Sequence, residues 1–232
     1  MISIRVVAAA SLLAFTVAGC GKKEDPEYRL TAEQLAWQPY RTGDVLRFGQ
    51  ARSSKVRTFV IGEINDRIQS YCNSCGGGIN LWPTGSSKVQ EIRVDFRRTD
   101  TVRYMLSPSS TPTKPDSVPI TYANTLLEMR LDNSHGSGPV VVQSRIYWDS
   151  GFYNYLPVQE VVANQALPDT AAHVLASLQV GGLTYGPVIQ LSNSTFASAP
   201  RPRTKPIRRL YYARGVGVVA FLEGATLWYR LL

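Results

Sequence analysis

The sequence predicts a mainly β protein with one antiparallel domain and one short helix near the amino terminus. The chain has 232 residues, a length typical of a single domain. It contains 12 Tyr, 18 Gly and 14 Pro, a composition that favours strands and turns. Hydrophobic residues make up 44% of the chain and charged residues only 18%. This balance argues against intrinsic disorder and against a soluble helical bundle rich in Glu and Lys.

The first element of the domain is the short helix. Thr31 can cap a helix over residues 31–37, Gln34 can complete a capping box, and Pro39 ends the helix. The strands are predicted where apolar and β-branched residues run or alternate. These segments are 45–48, 56–61, 89–96, 101–106, 126–131, 140–148, 174–180, 183–191, 216–222 and 225–231.

Alternation is clearest in segment 89–96. Ile92, Val94 and Phe96 share one face and have polar neighbours, which is typical of a half-buried strand. We expect segment 101–106 to pair with this strand, because only a short polar stretch separates the two.

Glycine and proline divide the other segments. Gly181 and Gly182 predict a hairpin turn between two apolar runs. Ser107–Pro119 and Ala197–Pro206 are rich in proline, which predicts two long loops. The strands on either side of each loop are too few for two separate cores, so a single domain is expected.

The amino terminus has the sequence pattern of a targeting signal. Val6–Val17 is an apolar run after Arg5, and it is shorter than the ~20 residues that span a bilayer. It ends in Val17-Ala18-Gly19-Cys20, which closely resembles a bacterial lipoprotein lipobox. The resemblance implies that Cys20 is lipidated and becomes the first residue after cleavage. The alternative is an ordinary secretory signal with an unrelated cysteine.

This interpretation divides the chain into a signal peptide over 1–19, a lipidated polar tether over 20–29 and an antiparallel β domain over 30–232. No Asp follows Cys20 directly, so the usual cue for inner-membrane retention is absent and the outer membrane is expected. The charges of Lys23, Glu24 and Asp25 resemble the surface-export signal of Bacteroidota lipoproteins; a plain solvated linker is the alternative. The expected location is therefore the periplasmic face or the cell surface.

Three segments of the domain resemble uncharacterised Bacteroidota lipoproteins. They are 39–48, 182–191 and 211–219, the last with the pattern Tyr-Tyr-Ala-Arg-Gly-Val-Gly. The resemblance implies a single curved antiparallel sheet or half-barrel. It implies no catalytic residues.

Gly215-Val216-Gly217-Val218-Val219-Ala220 has the letters of a dinucleotide fingerprint. That motif needs a following helix and an acidic residue about 20 positions on, and the few residues after Ala220 predict a hairpin instead. No cofactor is expected. Gly215 and Gly217 are predicted on a strand, where an aromatic ring or backbone approaches closely.

Cys72 and Cys75 bracket a short loop before three glycines. A structural disulfide is the favoured interpretation in an oxidising compartment. A redox-active pair is the alternative, although the glycines disfavour the helix that such motifs usually begin. A zinc site lacks ligands, because no second cysteine pair exists and His135 and His173 lie far away in the sequence.

Six basic residues lie within 14 positions in the last third of the domain. They are Arg201, Arg203, Lys205, Arg208, Arg209 and Arg214. Such a cluster could contact an anionic ligand, either a lipid phosphate or an acidic glycan, and a solvated loop is the alternative. Nucleic acid is not expected as a partner of an envelope protein.

An aromatic run occupies Tyr147-Trp148, Phe152-Tyr153 and Tyr155. Packing in the core or along an edge strand is the expected role, and a platform for sugar stacking is the alternative.

The sequence thus predicts a lipid-anchored, non-catalytic envelope lipoprotein that is a binding or structural module. Its predicted partners are the membrane, through acyl chains on Cys20, and an envelope protein, lipid or glycan. One alternative is a carrier that holds a lipid or other apolar ligand in a half-barrel cavity. The other is a thiol-disulfide oxidoreductase that uses Cys72 and Cys75.

Overall fold

The computed structural model describes residues 25–72, 86–101, 104–106, 109, 111, 113, 117–119, 123–132, 140–149, 152–168, 170–193 and 207–232. The strands are β1 Glu27–Tyr28, β2 Val45–Gly49, β3 Val56–Cys72, β4 Ser86–Arg98, β5 Tyr104–Leu106, β6 Ser117–Pro119, β7 Asn124–Asp132, β8 Val141–Trp148, β9 Phe152–Tyr155, β10 Ala172–Leu175, β11 Leu178–Val180, β12 Leu183–Tyr185, β13 Val188–Ser192, β14 Ile207–Ala213, β15 Gly217–Glu223 and β16 Thr226–Leu231. The helices are α1 Ala32–Leu35 and α2 Val158–Val162.

Twelve strands form one large sheet in the order β10-β13-β14-β15-β16-β2-β3-β4-β7-β8-β9, with β1 beside β4. Every pair along this path is antiparallel, and among the described strands only the two-residue β1 pairs in parallel. The sheet curls into a half-barrel. The predicted fold class is therefore confirmed.

Two details of the predicted arrangement are wrong. Segment 101–106 does not pair with β4, because β3 and β7 occupy the two edges of that strand. Its strand, β5, pairs instead with β6, which lies inside the segment predicted as a proline-rich loop. The second short helix, α2, follows β9 and was not predicted.

Helix α1 begins as the sequence predicts. The Gln34 backbone N–H donates to Thr31 Oγ1 at 3.3 Å, and the Thr31 backbone N–H donates to Gln34 Oε1 at 2.8 Å. Two side-chain bonds attach this segment to the rest of the fold. The Leu30 N–H donates to Gln90 Oε1 on β4 at 3.0 Å, and Gln34 Nε2 donates to Gln159 Oε1 on α2 at 3.3 Å.

The inner face of the sheet carries the main core, whose centre is a cluster of aromatic rings. Phe48, Phe59, Phe96, Trp148 and Phe221 are each at most 2% exposed. Their neighbouring ring centroids lie 4.7 to 5.9 Å apart. Packed rings therefore occupy the part of the concavity where the carrier alternative requires an apolar cavity, so this alternative gains no support here.

Ion pairs cover one end of this aromatic core. The Arg57 guanidinium pairs with both carboxylate oxygens of Glu223 and lies 4.2 Å from the ring centroid of Trp228. The Arg98 guanidinium donates two bonds of 2.8 Å to Asp100. The charged groups lie at the rim of the core, where they satisfy one another while their apolar portions pack on the rings.

The opposite end of the core contains two buried tyrosines. Tyr212 Oη donates to the Trp37 carbonyl at 2.6 Å, and the Val218 N–H donates to Tyr40 Oη at 2.8 Å. The Tyr40 and Tyr212 rings meet edge to face with centroids 6.4 Å apart. These bonds attach the segment after α1 to β14 and β15.

Gly217 lies against this tyrosine pair, as the sequence predicts. A Cβ at Gly217 would lie 2.2 Å from Tyr40 Oη. The corresponding prediction for Gly215 is wrong: Gly215 lies in the turn before β15, and a Cβ there meets nothing within 4 Å. Both residues have positive φ, which a turn at this position requires.

Burial makes the inner tyrosines resistant to deprotonation. Desolvation raises the pKa of Tyr40 to about 12 and also raises the pKa of Tyr212 well above its usual 10.0. A raised folded-state pKa adds stability that is complete below the unfolded value of 10.0 and is lost as the pH rises through about 12. The protein should therefore lose stability in this alkaline window.

Ultraviolet absorbance of the phenolate groups tests this expectation. In the folded protein, Tyr40→Phe should remove one phenol from the group that titrates near pH 12. In denaturant no tyrosine should titrate near pH 12, because Tyr40 and Tyr212 are then both exposed to water. If as many phenols titrated near pH 12 in folded Tyr40→Phe as in the wild type, the raised pKa would not belong to Tyr40.

The outer face of the sheet carries a second, smaller cluster. Val188, Ala213 and Val219 are buried there, and hairpin residues Leu178 and Tyr185 pack against them. The predicted turn of this hairpin, at Gly181 and Gly182, is confirmed by the pairing of β11 with β12. The hairpin thus covers part of the outer face instead of extending into solvent.

Candidate functional site: a groove beside the edge strand

A groove lies on the outer face beside β9, the last strand of the sheet. Its volume is about 870 Å³. The residues that line it come from β8 and the residue before it, from β9, from α2 and from the segment after α2. They are Val140, Val141, Val142, Gln143, Arg145, Tyr153, Tyr155, Gln159, Glu160, Gln165 and Pro168. We call this feature the β9 groove.

Strand alternation places the larger side chains of the β9 groove. Arg145 is paired with Tyr155, and Tyr147 is paired with Tyr153, so these four residues share the outer face of β8 and β9. Their neighbours along the strands, including Trp148, are buried on the inner face. Two adjacent strands therefore present three tyrosines and one arginine on the same surface.

Tyr153 and Tyr147 form a ring pair. Their centroids lie 5.0 Å apart with an angle of 41° between the planes. Tyr147 Oη donates to Glu128 Oε2 at 3.3 Å, which fixes the supporting ring from β7. Tyr153 is 47% exposed, so one large aromatic ring is held in position and open to solvent.

A tyrosine and a carboxylate form the polar centre of the groove. Tyr155 Oη lies 3.1 and 3.2 Å from the two carboxylate oxygens of Glu160, and its O–H donates to them. Desolvation raises the pKa of Tyr155, and the neighbouring Glu160 charge raises it further. Tyr155 therefore stays protonated and remains a donor to the carboxylate at neutral pH.

Helix α2 is positioned by bonds to the strands beneath it. The Leu156 N–H donates to the Ser144 carbonyl at 2.9 Å, and Ser144 Oγ donates to the Leu156 carbonyl at 2.9 Å. The Val142 N–H donates to Gln159 Oε1 at 3.4 Å. These contacts fix the position of α2, which forms one side of the β9 groove, relative to β8.

The edge strand itself is connected to the other end of the sheet. Asn154 is buried, and its Nδ2 donates to the Ser192 carbonyl on β13 at 2.6 Å. The Tyr155 N–H donates to Asn154 Oδ1 at 2.8 Å. One side chain thus bridges the gap between β9 and the opposite edge region, and it limits movement of the strand that carries Tyr153 and Tyr155.

The predicted aromatic run divides between the two faces of the sheet. Trp148 and Phe152 pack in the core, which confirms the packing prediction for these two residues. Tyr147, Tyr153 and Tyr155 lie on the outer face. Sequence reasoning missed Glu160, Gln165 and Arg145. For Arg145 a signal was present, because strict alternation along 140–148 places it on the same face as Tyr147.

The predicted basic cluster is only partly brought together. Arg208 and Arg209 are both exposed, because a bulge at Arg208 interrupts the pairing of β14 with β15. Arg214 lies beyond the other end of β14, so it is separated from them. Arg201, Arg203 and Lys205 lie outside the described residues.

The cysteines are mostly beyond the part of the chain that the structure describes. Cys72 is the last residue of β3, where it is paired with Ser86 of β4. Cys20 and Cys75 lie outside the described residues, so the lipid anchor and the disulfide stay predictions. His135 is also outside, whereas His173 lies on β10 as an exposed strand residue.

Neither a metal-ligand cluster nor a membrane-spanning helix stands out among the described residues. Among them, no group of three or more His, Cys, Asp or Glu side chains is arranged to hold a metal ion. None of the described helices has both the length and the hydropathy needed to cross a membrane.

Comparison of the chain with protein-family models, with curated protein sequences and with solved structures gave no significant match. The resemblance to Bacteroidota lipoproteins accordingly stays a prediction from the sequence motifs.

Proposed function

We propose that this protein is a lipid-anchored, non-catalytic envelope lipoprotein whose β domain acts as a binding module. The observation that carries the proposal is the segment Val17-Ala18-Gly19-Cys20, which stands directly before the folded domain. A lipidated Cys20 would anchor the chain firmly, because each buried methylene contributes about 0.8 kcal/mol and several acyl chains add together. The outer membrane, at its periplasmic face or at the cell surface, is the proposed location.

The anchor would sit close to one end of the sheet. Only seven positions separate Cys20 from Glu27, the first residue of β1, so the tether reaches at most about 25 Å. Glu27 is paired with Lys88, near the start of β4. This geometry supports an orientation in which the start of β4 faces the anchoring membrane.

The basic pair on β14 lies towards the other end of the sheet. Arg209 is paired with Leu222, next to Glu223, whose carboxylate contacts Arg57 at the start of β3. The length of β4 between Lys88 and its last residue is about 33 Å. Arg208 and Arg209 are therefore better placed for an anionic partner than for the membrane that holds the anchor.

Metabolic labelling with a palmitate analogue tests the anchor. The wild-type protein should carry the label and sediment with membranes, whereas Cys20→Ala should lose the label because the acceptor sulfur is gone. Cys72→Ala is the matched control and should keep both properties. Equal labelling of Cys20→Ala and the wild type would show that the lipobox interpretation is wrong.

A further inference from the structure

We propose that the β9 groove binds an uncharged oligosaccharide, with Tyr153 as its stacking surface and Glu160 as its principal hydroxyl acceptor. This inference deepens the proposed binding role and rests on it. Four properties of the groove support it: its size, its aromatic surface, its hydrogen-bonding groups and its charge balance.

The groove has the dimensions of a small-ligand site. Its volume of about 870 Å³ lies within the 300–1,000 Å³ that is usual for such sites. It is partly open to solvent and not an enclosed cavity. An open groove accepts a chain of sugar rings whose ends project into solvent.

The aromatic surface is organised before any ligand arrives. Tyr153 is 47% exposed, yet its ring is supported by Tyr147, which Glu128 fixes in turn. A ring that is already immobilised loses little conformational entropy on binding. The apolar C–H face of a sugar can pack on such a ring, whose face carries partial negative charge.

Hydrogen-bonding groups surround this surface. An ionised carboxylate has about four acceptor sites, and Tyr155 uses a single O–H to contact both oxygens of Glu160, so acceptor capacity remains for sugar hydroxyls. Arg145, Gln159 and Gln165 line the same groove and carry N–H groups that can donate to hydroxyl oxygens. Sugars need this combination of an apolar face and dense polar edges.

The charge balance favours an uncharged ligand. The lining contains one cationic side chain, Arg145, and one anionic side chain, Glu160. A phosphate or an acidic sugar would meet the Glu160 carboxylate, and a cationic ligand would meet Arg145, so neither net charge is favoured. Arg208 and Arg209 are not among the lining residues of the groove, although Arg209 is paired with Ser192, whose carbonyl accepts a hydrogen bond from Asn154 of β9.

The test uses the full-length protein in detergent and five soluble probes. These are cellohexaose, laminarihexaose, maltohexaose, chitohexaose and mannohexaose. Saturation-transfer NMR identifies any that bind, and calorimetry measures the affinity. At least one should bind, and Tyr153→Ala should weaken that binding roughly tenfold, because the loss of one stacking contact corresponds to about that factor.

Two further variants make the result specific. Glu160→Gln should also weaken binding, because an amide is a poorer acceptor than a carboxylate and Tyr155 then competes for it. Leu227→Ala is the matched control: Leu227 is 39% exposed on a different strand, and its replacement should leave the affinity unchanged.

Three results would overturn the proposal. They are binding of none of the five probes, binding that Tyr153→Ala leaves unchanged, and binding of anionic phospholipid vesicles that depends on Tyr153 in place of glycan binding. The palmitate-labelling experiment reports on Cys20 alone. Failure of the glycan site and failure of the lipid anchor are therefore separate outcomes.

Discussion

Replacement of Gly217 by Ala is expected to lower the free energy of unfolding by about 3 kcal/mol or more. Gly217 has a φ of +87°, and an added Cβ would lie 2.2 Å from Tyr40 Oη and 2.4 Å from Tyr40 Cζ. The backbone conformation alone costs a non-glycine residue about 1–2 kcal/mol. Overpacking adds about 1–3 kcal/mol, because Tyr40 is held by the Val218 N–H and by the Tyr212 ring.

Gly215 provides the matched control for this prediction. Its φ is +72°, but a Cβ there meets nothing within 4 Å, so Gly215→Ala should cost only the backbone contribution of about 1–2 kcal/mol. Chemical denaturation followed by circular dichroism measures both values. Equal losses in the two variants would mean that contact with Tyr40 does not determine the requirement for glycine.

A double variant separates the two contributions at Gly217. Tyr40→Phe removes the atom that lies nearest to the added Cβ, although the ring carbons remain close. The losses from Gly217→Ala and Tyr40→Phe should therefore sum to more than the loss in the double variant. Strict additivity would indicate that the two residues do not interact.

Local sequence signals were sufficient for most of the fold. The capping box at Thr31, the alternation around Val94 and the hairpin at Gly181 depend on neighbours within a few positions, and each is present in the structure. Strand partners depend on the whole sheet instead. The wrong partner for segment 101–106 arose because nothing local reveals that β3 and β7 occupy both edges of β4.

The same distinction applies to the candidate site. The sequence drew attention to Tyr153 and Tyr155 as part of an aromatic run, but alternation had to be combined with strand pairing to show which rings leave the core. Glu160 joins the site through α2, a helix of five residues with no side-chain cap and therefore little local signal. Arg208 and Arg209 are both exposed because of a bulge, which sequence periodicity cannot reveal.

Trp148 is the position in the aromatic core where truncation should have the largest effect. Its ring contacts Phe48, Phe59, Phe96 and Phe221, with centroid distances of 4.7 to 5.4 Å. Trp148→Ala should therefore destabilise the protein by about 3–5 kcal/mol, because the transfer energy of the ring is lost and a cavity remains between four strands.

Trp148→Phe should lower the free energy of unfolding much less than Trp148→Ala. Phenylalanine keeps much of the ring volume, and it also lacks the buried N–H group. Trp148 Nε1 is buried and has no hydrogen-bond partner among the described residues. An unsatisfied buried donor costs about 1–3 kcal/mol, so phenylalanine loses volume but also removes this penalty. Thermal and denaturant unfolding of the two variants would measure the difference. Equal destabilisation by Trp148→Phe and Trp148→Ala would contradict this account, because the ring volume that phenylalanine retains would then bring no benefit and the indole N–H would have to be hydrogen-bonded in solution.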